Sequence, residues 1–228
     1  MENFIITIAR GFGTGGREIG GILADRLHVH SYEHRILTLA SQMSGYDEHM
    51  FEQIDEKLSG TLVGARLLAL PKRLVAHPEM HRFTRDDRIY GYESEIIRSL
   101  AESESCIIIG KCADYVLKDK KNVLSVYIEA PREYCRPRIM KKLNKSPEEA
   151  DEIISKTDKY RAAYYKYYTH GNYWTNPVNY DLTLNPARLG EENCVDIIIY
   201  ALMKKMGPDW EKEFRESLRE KEKEEAAK

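Results

Sequence analysis

The sequence contains few cysteines, and none of them are paired at the spacing that metal or redox sites use. A C-x-x-C motif would indicate structural zinc or a redox centre, and it is absent here. Isolated thiols stay reduced in the cytoplasm, so we expect a cytoplasmic protein with free, buried cysteines and no structural zinc. The four are Cys106, Cys112, Cys135 and Cys194.

Long apolar runs and an excess of charge of one sign are also missing. No stretch approaches the roughly 18 apolar residues of a membrane span, and no basic, apolar leader precedes the first predicted strand. Lys and Arg total 35 against 37 Asp and Glu, a formal net charge of −2. Because binding along a nucleic-acid duplex needs a strongly cationic surface, neither a nucleic-acid nor a membrane partner is expected.

Short apolar runs alternate with helical segments along the chain. Strands that are apolar on both faces and are separated by helices are typical of a parallel sheet covered on each side, so we predict an α/β fold. The predicted strands are residues 4–9, 29–32, 105–110, 123–130 and 180–185. The main predicted helices are 18–27, 36–58, 87–104 and 191–206, whereas residues 60–85 show no clear pattern.

Two further helix starts and a terminal segment can be predicted from local signals. Pro131 is predicted as the first residue of a helix, and Ser146 with Glu149 predicts a capping box that opens another. Residues 207–228 are rich in acidic and basic pairs four apart, which predicts a solvated, fraying helix. The alternative is a helix that docks a partner through its apolar residues, Trp210, Phe214 and Leu218.

The stretch "ARGFGTGGREIG" breaks the first predicted strand into a glycine-rich loop. Gly11, Gly13 and Gly16 fit the dinucleotide fingerprint G-x-G-x-x-G, whereas Gly11 and Gly16 alone fit the frame of a nucleotide-triphosphate P-loop. That P-loop continues with Lys and Ser or Thr, and here Arg17 and Glu18 follow. Both frames predict phosphate at a helix N-terminus. Because Glu33 lies where a dinucleotide domain holds its ribose, the loop alone leaves both open.

Two distant segments favour phosphoryl transfer. In "IIIGKCADYVL" the end of a buried strand brings Lys111 to the edge of the sheet where the glycine loop lies. In "SKTDKYRAAYYKYY" a predicted helix carries Lys156, Lys159 and Arg161. Several cations on a mobile lid suit the charge that develops on a transferring phosphoryl group, and a dehydrogenase has no use for them.

With "NYDLTLNPARLG", these motifs make the chain resemble the cytidylate-kinase-like family, a branch of the P-loop nucleoside monophosphate kinases, from about residue 3 to 206. The resemblance implies a three-layer domain over residues 1–206, with a five-stranded parallel sheet in the order 2-3-1-4-5. An acceptor-binding helical region is implied at about 33–100, a helical lid at about 143–175 and a charged tail after 206. It implies ATP, Mg²⁺ and transfer to a nucleoside monophosphate, with CMP as the expected acceptor.

On the donor side, the resemblance implies that backbone N–H groups of the loop hold the ATP phosphates and that the segment after the last strand packs against adenine. Arg17 would replace the P-loop lysine. The implied donor-binding residues are Gly11, Gly13, Thr14, Gly15, Gly16, Arg17, Glu18, Asn185 and Arg188.

On the acceptor side, Lys111 would bind the acceptor phosphate, and Arg161 would contact the transferring group with Lys156 and Lys159 as further lid cations. The implied residues around the acceptor are Tyr32, Glu33, Lys111 and Asp114.

Three departures from the family pattern leave part of this open. Glu18 stands where a hydroxyl ligates Mg²⁺, so it could hold the metal as a carboxylate, pair with Arg17 or cap the helix. Ile109 replaces an acid that relatives active on CMP often carry, and Lys111 gives up the bidentate recognition of an arginine. The acceptor's identity and the oligomeric state stay open. A nucleotide-binding regulator without transfer activity and a dinucleotide oxidoreductase are the alternatives.

The histidines are not expected to form a metal site. Three straddle a predicted strand and turn, so their rings should not share a face, and two others in the unclear segment are expected to be exposed. The first group is His28, His30 and His34, and the second is His77 and His81.

Overall fold

Strands and helices alternate throughout residues 2–44 and 86–226, which are the residues that this computed structural model describes. The elements are β1 (Ile5–Arg10), α1 (Gly16–Leu27), β2 (His30–Tyr32), α2 (Arg35–Ser44), α3 (Asp86–Ser103), β3 (Cys106–Ile109), α4 (Ala113–Val116), β4 (Val123–Ile128), α5 (Arg132–Leu143), α6 (Pro147–Tyr168), β5 (Leu182–Leu184), α7 (Pro186–Leu189), α8 (Glu191–Met206) and α9 (Pro208–Ala226). The predicted continuation of α2 to residue 58, the segment 60–85 and both of its histidines, His77 and His81, lie outside the described residues.

The five strands form an all-parallel sheet in the order β2-β3-β1-β4-β5, which confirms the predicted topology. Ile5 of β1 lies opposite Cys106 on one side and Val123 on the other. The central strand is apolar on both faces because helices cover both. Since parallel strands all end at the same edge, the loops after β1, β3 and β4 converge there.

Alternate residues of β1 enter two separate cores, one on each face of the sheet. Ile6 and Ile8 face a core shared with α1 and α8. Ile5 and Ala9 face a second core, built with α2, α3 and α6 and rich in tyrosine. The result is the three-layer arrangement that the sequence predicts, with helices on each side of one sheet.

Helices α5 and α6 begin near the residues that the sequence predicts. Ser146 Oγ accepts a hydrogen bond from the Glu149 amide at 3.2 Å, and the Ser146 amide donates to Glu149 at 2.9 Å, so the capping box is confirmed. The prediction for Pro131 is wrong by one residue. Its ψ of 152° is extended, so Pro131 is the cap and α5 begins at Arg132.

The charged terminal helix α9 packs against the domain, so the prediction of a solvated helix is wrong. The Trp210 and Phe214 rings stack with centroids 4.6 Å apart, and Phe4 meets both edge-on. The Trp210 indole N–H donates to the Glu2 carbonyl at 2.9 Å. Residues 210, 214 and 218 form one apolar stripe at helical spacing, and this stripe is covered by the chain's own core, not by a partner.

The cysteines, the histidines and the apolar helices can be assessed among the described residues. The four cysteines are buried and free, and burial raises the pKa of the Cys112 thiol, so it is not a reactive thiolate. Within the described ranges no three or more His, Cys, Asp or Glu side chains cluster as a metal site, and His30 instead hydrogen-bonds Glu104. No described helix is long and apolar enough to cross a membrane.

Replacing Phe214 by alanine should lower the free energy of unfolding by about 3 kcal/mol, because it removes a fully packed ring from the core. Glu216→Ala, two residues further along the exposed side of the same helix, is the control and should change it by less than about 0.5 kcal/mol. Urea unfolding measures both. Small and equal effects would show that α9 is not packed as described.

Candidate active site

The loop between β1 and α1 is rich in glycine and leads directly into the N-terminus of a helix. Gly13 and Gly15 have φ of 86° and 90°, values that favour glycine, and α1 begins at Gly16. No described side chain caps this helix start. The Thr14 hydroxyl donates to the Gly11 carbonyl at 3.0 Å and tightens the turn. Such a loop at a helix N-terminus, with the helix dipole behind it, attracts an anion.

A cavity of about 550 Å³ opens over this loop, within the range of small-molecule sites. Cationic side chains from four elements, β1, α1, α5 and α6, surround it, and two carboxylates, Glu18 and Glu33, share its wall. The cations are Arg10, Arg17, Arg138, Lys141, Lys142 and Arg161. A cavity with this lining suits a ligand that carries several negative charges.

Two side chains of helix α6 hydrogen-bond the backbone at the start of the glycine loop. The Phe12 amide donates to Asp158 Oδ1 at 2.8 Å, and Arg161 Nη1 donates to the Arg10 carbonyl at 2.9 Å. The Arg161 guanidinium also lies over the Phe12 ring. Burial raises the pKa of the Asp158 carboxyl to about 6, although Arg161 and the Phe12 amide oppose the shift. The conformation of the loop therefore depends on one face of α6.

Glu33 lies between two arginines on the wall of the cavity. Its Oε1 is 2.6 Å from Arg10 Nη2, and its Oε2 is 3.0 Å from Arg17 Nε. Arg17 therefore lines the cavity as predicted, but its carboxylate partner is Glu33. The predicted alternative pairing of Glu18 with Arg17 is wrong, since Glu18 pairs with Arg138 at 3.6 Å.

Arg138, which the sequence reasoning missed, reaches the glycine loop from α5 and lines the cavity there. Its Nη1 is 2.8 Å from Glu191 Oε1 and 3.1 Å from the Tyr134 hydroxyl, and its Nη2 approaches Glu18. These contacts hold a guanidinium beside the glycine loop. In the sequence Arg138 is one cation among several on an ordinary helix, so no local signal singles it out.

Arg10 is the second residue that sequence reasoning missed. It is the last residue of β1, directly before Gly11, so its position in the quoted motif was the available signal. Its carbonyl binds Arg161 and its guanidinium binds Glu33. Arg10 is thereby fixed where β1 meets the cavity.

Lys111 reaches the expected edge of the sheet, but its ammonium is buried in an ion pair. Its Nζ is 3.3 Å from Glu93 Oε1, and the two side chains are 2% and 1% exposed. Gly110, Lys111 and Cys112 all have positive φ, of 77°, 58° and 52°. Two non-glycine residues in succession in that region store backbone strain.

A second, narrow cavity of about 40 Å³ lies beside this turn, and Arg10 and Arg161 line it as well. Asp114 is on its wall and accepts a hydrogen bond from the Tyr165 hydroxyl at 2.7 Å. Burial raises the pKa of the Asp114 carboxyl to about 6. Lys111, Asp114 and Arg161, three of the predicted site residues, thus meet at this small cavity.

Several predicted site residues are not brought to either cavity among the described residues. Tyr32 is buried and its hydroxyl donates to Glu104 at 2.6 Å, and burial raises its pKa to about 12. Asn185 caps α7 by accepting from the Ala187 amide at 3.0 Å, and Arg188 is exposed. Lys156 pairs with Glu152 and Lys159 is exposed.

Lys156 and Lys159 do not reach the cavity because they lie on a different face of α6 from Arg161. The segment expected to be a mobile lid contains one 22-residue helix, α6, whose buried face includes Ile154, Arg161 and Tyr165. With 3.6 residues per turn, Asp158 and Arg161 face the loop while Lys156 and Lys159 point elsewhere. Of the three predicted cations of α6, Arg161 alone lines the described cavities.

The sheet order argues against the dinucleotide alternative. A dinucleotide-binding domain has the order 3-2-1-4-5, whereas here β3 lies between β2 and β1. Glu33, which such a domain would use for a ribose hydroxyl, binds two arginines instead.

Comparisons with known proteins give a matching family and one solved structure with a similar fold. The sequence model of the cytidylate kinase-like family matches residues 5–188. An uncharacterized protein from Eubacterium ventriosum ATCC 27560, solved as a crystal structure, is 21% identical with a TM-score of 0.63, over 88% of this chain and 98% of that one. Shikimate kinase from Bacteroides thetaiotaomicron is 16% identical with a TM-score of 0.49, over 87% and 98%. No curated protein matches.

Asp158→Asn should change how stability depends on pH. Because the folded state holds the Asp158 proton up to about pH 6, the wild type loses stability relative to the variant as pH rises from 4 to 7. The difference in unfolding free energy between the two proteins should change by roughly 2 kcal/mol between pH 4 and pH 7.

Denaturant unfolding of both proteins at pH 4 and pH 7 measures this difference. Glu129, Arg132 and Arg161 also act on the Asp158 carboxyl, and they, like the titrating Asp114, are common to both proteins. A difference that stays constant over this range would contradict the buried, proton-holding carboxyl.

Proposed function

The chain belongs to the cytidylate kinase-like family, and we propose that it transfers the γ-phosphoryl group of ATP to a nucleoside monophosphate, with CMP as the acceptor. Family and fold are of the phosphotransferase type. The observation that carries the proposal is the cavity of about 550 Å³ over the glycine loop, with cations on its walls. It joins an anion-binding helix start to guanidinium groups from several elements.

The donor triphosphate is proposed to lie on the backbone N–H groups of the loop. Arg17 and Arg138 both line the cavity near the start of α1, and Lys141 and Lys142 of α5 add to its cationic wall. A guanidinium offers two parallel hydrogen bonds to a phosphate. Arg138 is held by Glu191 and Tyr134, so little of its freedom remains to be lost when ATP binds.

Glu18 is the residue that would hold Mg²⁺. It lies on the cavity wall in the first turn of α1 and is half exposed. Magnesium is usually bound through one or two carboxylates plus phosphate oxygens, so a single carboxylate beside a triphosphate site fits. When bound, the metal supplies positive charge that offsets the charge of the phosphates.

Transfer itself needs positioning and charge more than covalent help from the protein. An oxygen of the acceptor phosphate forms a bond to the γ-phosphorus while the bridging P–O bond breaks, and ADP leaves with the electron pair. Arg161 is the proposed contact for the transferring phosphoryl group, because it lines both cavities. Lys111, which lines the small cavity, is held by its buried ion pair with Glu93, and this pair fixes the turn on the proposed acceptor side.

A nucleotide-binding regulator without transfer activity is the second candidate. Two observations favour it: Glu18 is paired with Arg138, and Lys111 is paired with buried Glu93. The family resemblance implied instead that Glu18 could bind Mg²⁺ and that Lys111 would bind the acceptor phosphate. If these pairs persist with nucleotide bound, metal and acceptor binding would both be weak.

The test is release of ADP from ATP, with and without Mg²⁺, in the presence of CMP, dCMP, UMP or AMP. The proposal predicts ADP release that requires Mg²⁺ and is fastest with CMP. Calorimetric ATP binding without ADP release for any acceptor would favour the regulator. Binding of NADH in place of ATP would contradict both.

Arg138→Ala should raise the KM for ATP by about tenfold, because the lost hydrogen bonds are to a charged group. Lys159→Ala is the matched control, since it removes an exposed cation from α6 that does not line the described cavities. It should change KM less than about twofold. Steady-state kinetics with varied ATP measures both, and equal effects would remove Arg138 from the donor site.

A further inference from the structure

The position of the P-loop lysine carries no side chain in this protein. In the P-loop motif that lysine directly follows the loop's last glycine, where the helix begins. Here the last left-handed glycine is Gly15, and the first residue of α1 is Gly16. The sequence frame of Gly11 and Gly16 put Arg17 at the lysine position, whereas by the loop's backbone Arg17 stands one residue beyond it. Its side chain is 56% exposed and paired with Glu33.

Gly16 lacks a side chain for a steric reason. A Cβ atom at this position would lie 2.7 Å from the Cβ and 3.0 Å from the Cγ of Arg10. Such distances are well inside ordinary carbon contacts of 3.5–4.0 Å. The stem of Arg10 thus fills the space that a side chain at residue 16 would need, so these two side chains exclude each other.

The guanidinium of Arg10 continues from this stem into the junction of the two cavities. Arg10 Nη1 would lie only 2.2 Å from a Cβ at Gly110, so the glycine after β3 is what lets it pass. Its Nη2 is fixed by Glu33 Oε1 at 2.6 Å, and the side chain is 14% exposed. Arg10 lines both the large cavity over the glycine loop and the small one beside Lys111.

We propose that Arg10 takes over the role of the P-loop lysine, reaching the transferring phosphoryl group from the end of β1. This inference rests on the proposed phosphoryl transfer and names a further catalytic residue for it. Gly16 and Gly110 leave room for its stem and its guanidinium, and Glu33 is the positioning residue that orients it. A planar guanidinium between the two cavities can contact donor and acceptor oxygens together, which a lysine ammonium does less well.

The exchange of Arg10 and Gly16 tests this directly. Arg10→Gly should lower kcat by about a hundredfold, the usual effect of removing one donor to the transition state. Gly16→Lys alone should also be impaired, because the Arg10 stem blocks the new side chain. The double variant Arg10→Gly/Gly16→Lys restores the P-loop arrangement and should recover kcat at least tenfold over Arg10→Gly.

The proposal requires that Arg10→Gly and Gly16→Lys each lower kcat alone and that the double variant recovers it, a strongly non-additive result. An Arg10→Gly kcat within threefold of wild type, or a double variant no faster than Arg10→Gly, would overturn the proposal. Arg10→Lys covers the case in which Arg10→Gly fails to fold, and it should lower kcat at least tenfold. Arg215→Lys, on the exposed side of α9, is its matched control and should leave kcat unchanged.

Calorimetric binding of ATP to the same variants separates this inference from the proposed function. If the wild type binds ATP but releases no ADP with any acceptor, the proposed transfer fails. The role of Arg10 is then decided by affinity. It stands if Arg10→Gly weakens ATP binding at least tenfold and the double variant restores it, and it falls otherwise. A wild type that binds no ATP overturns both.

Discussion

The hydrogen bond from the Phe12 amide to the Asp158 carboxylate fastens the glycine loop to helix α6, and the rest of the site depends on it. Three residues further along that helix, Arg161 binds the Arg10 carbonyl at the start of the same loop. One turn after Arg161, on the same buried face, Tyr165 packs in the tyrosine-rich core. Loop, central strand and core are thus held by one helix, and the cations around the cavity keep fixed positions relative to the loop's N–H groups.

Holding charge at this edge of the sheet costs stability locally. Asp158 and Asp114 are buried acids whose pKa values are raised to about 6 by desolvation. The ion pair with Glu93 offsets the cost of desolvating the Lys111 ammonium, but buried ion pairs seldom add net stability. The Lys111 backbone is also strained. Strained and desolvated groups concentrate at functional sites, and here they surround the narrow cavity between the ends of β1 and β3.

The sequence predicts the strands, the glycine loop and the capping box because each depends on neighbouring residues. The strand order came from the family resemblance. The contacts of Arg10 with Glu33 and Arg161 join residues far apart in the chain, so no local pattern contains them. Counting cations on α6 could not decide which face meets the loop. In α9 the apolar stripe of Trp210, Phe214 and Leu218 was visible, but the surrounding charges pointed to solvent.

The most direct test of the central claim is the set of backbone amide chemical shifts measured by NMR as ATP is added. If the loop fastened by α6 is the phosphate site, the largest changes should fall on residues 12–17, at the start of α1. Changes confined to the opposite edge of the sheet, around His30 and Glu104, or no changes at millimolar ATP, would contradict the account.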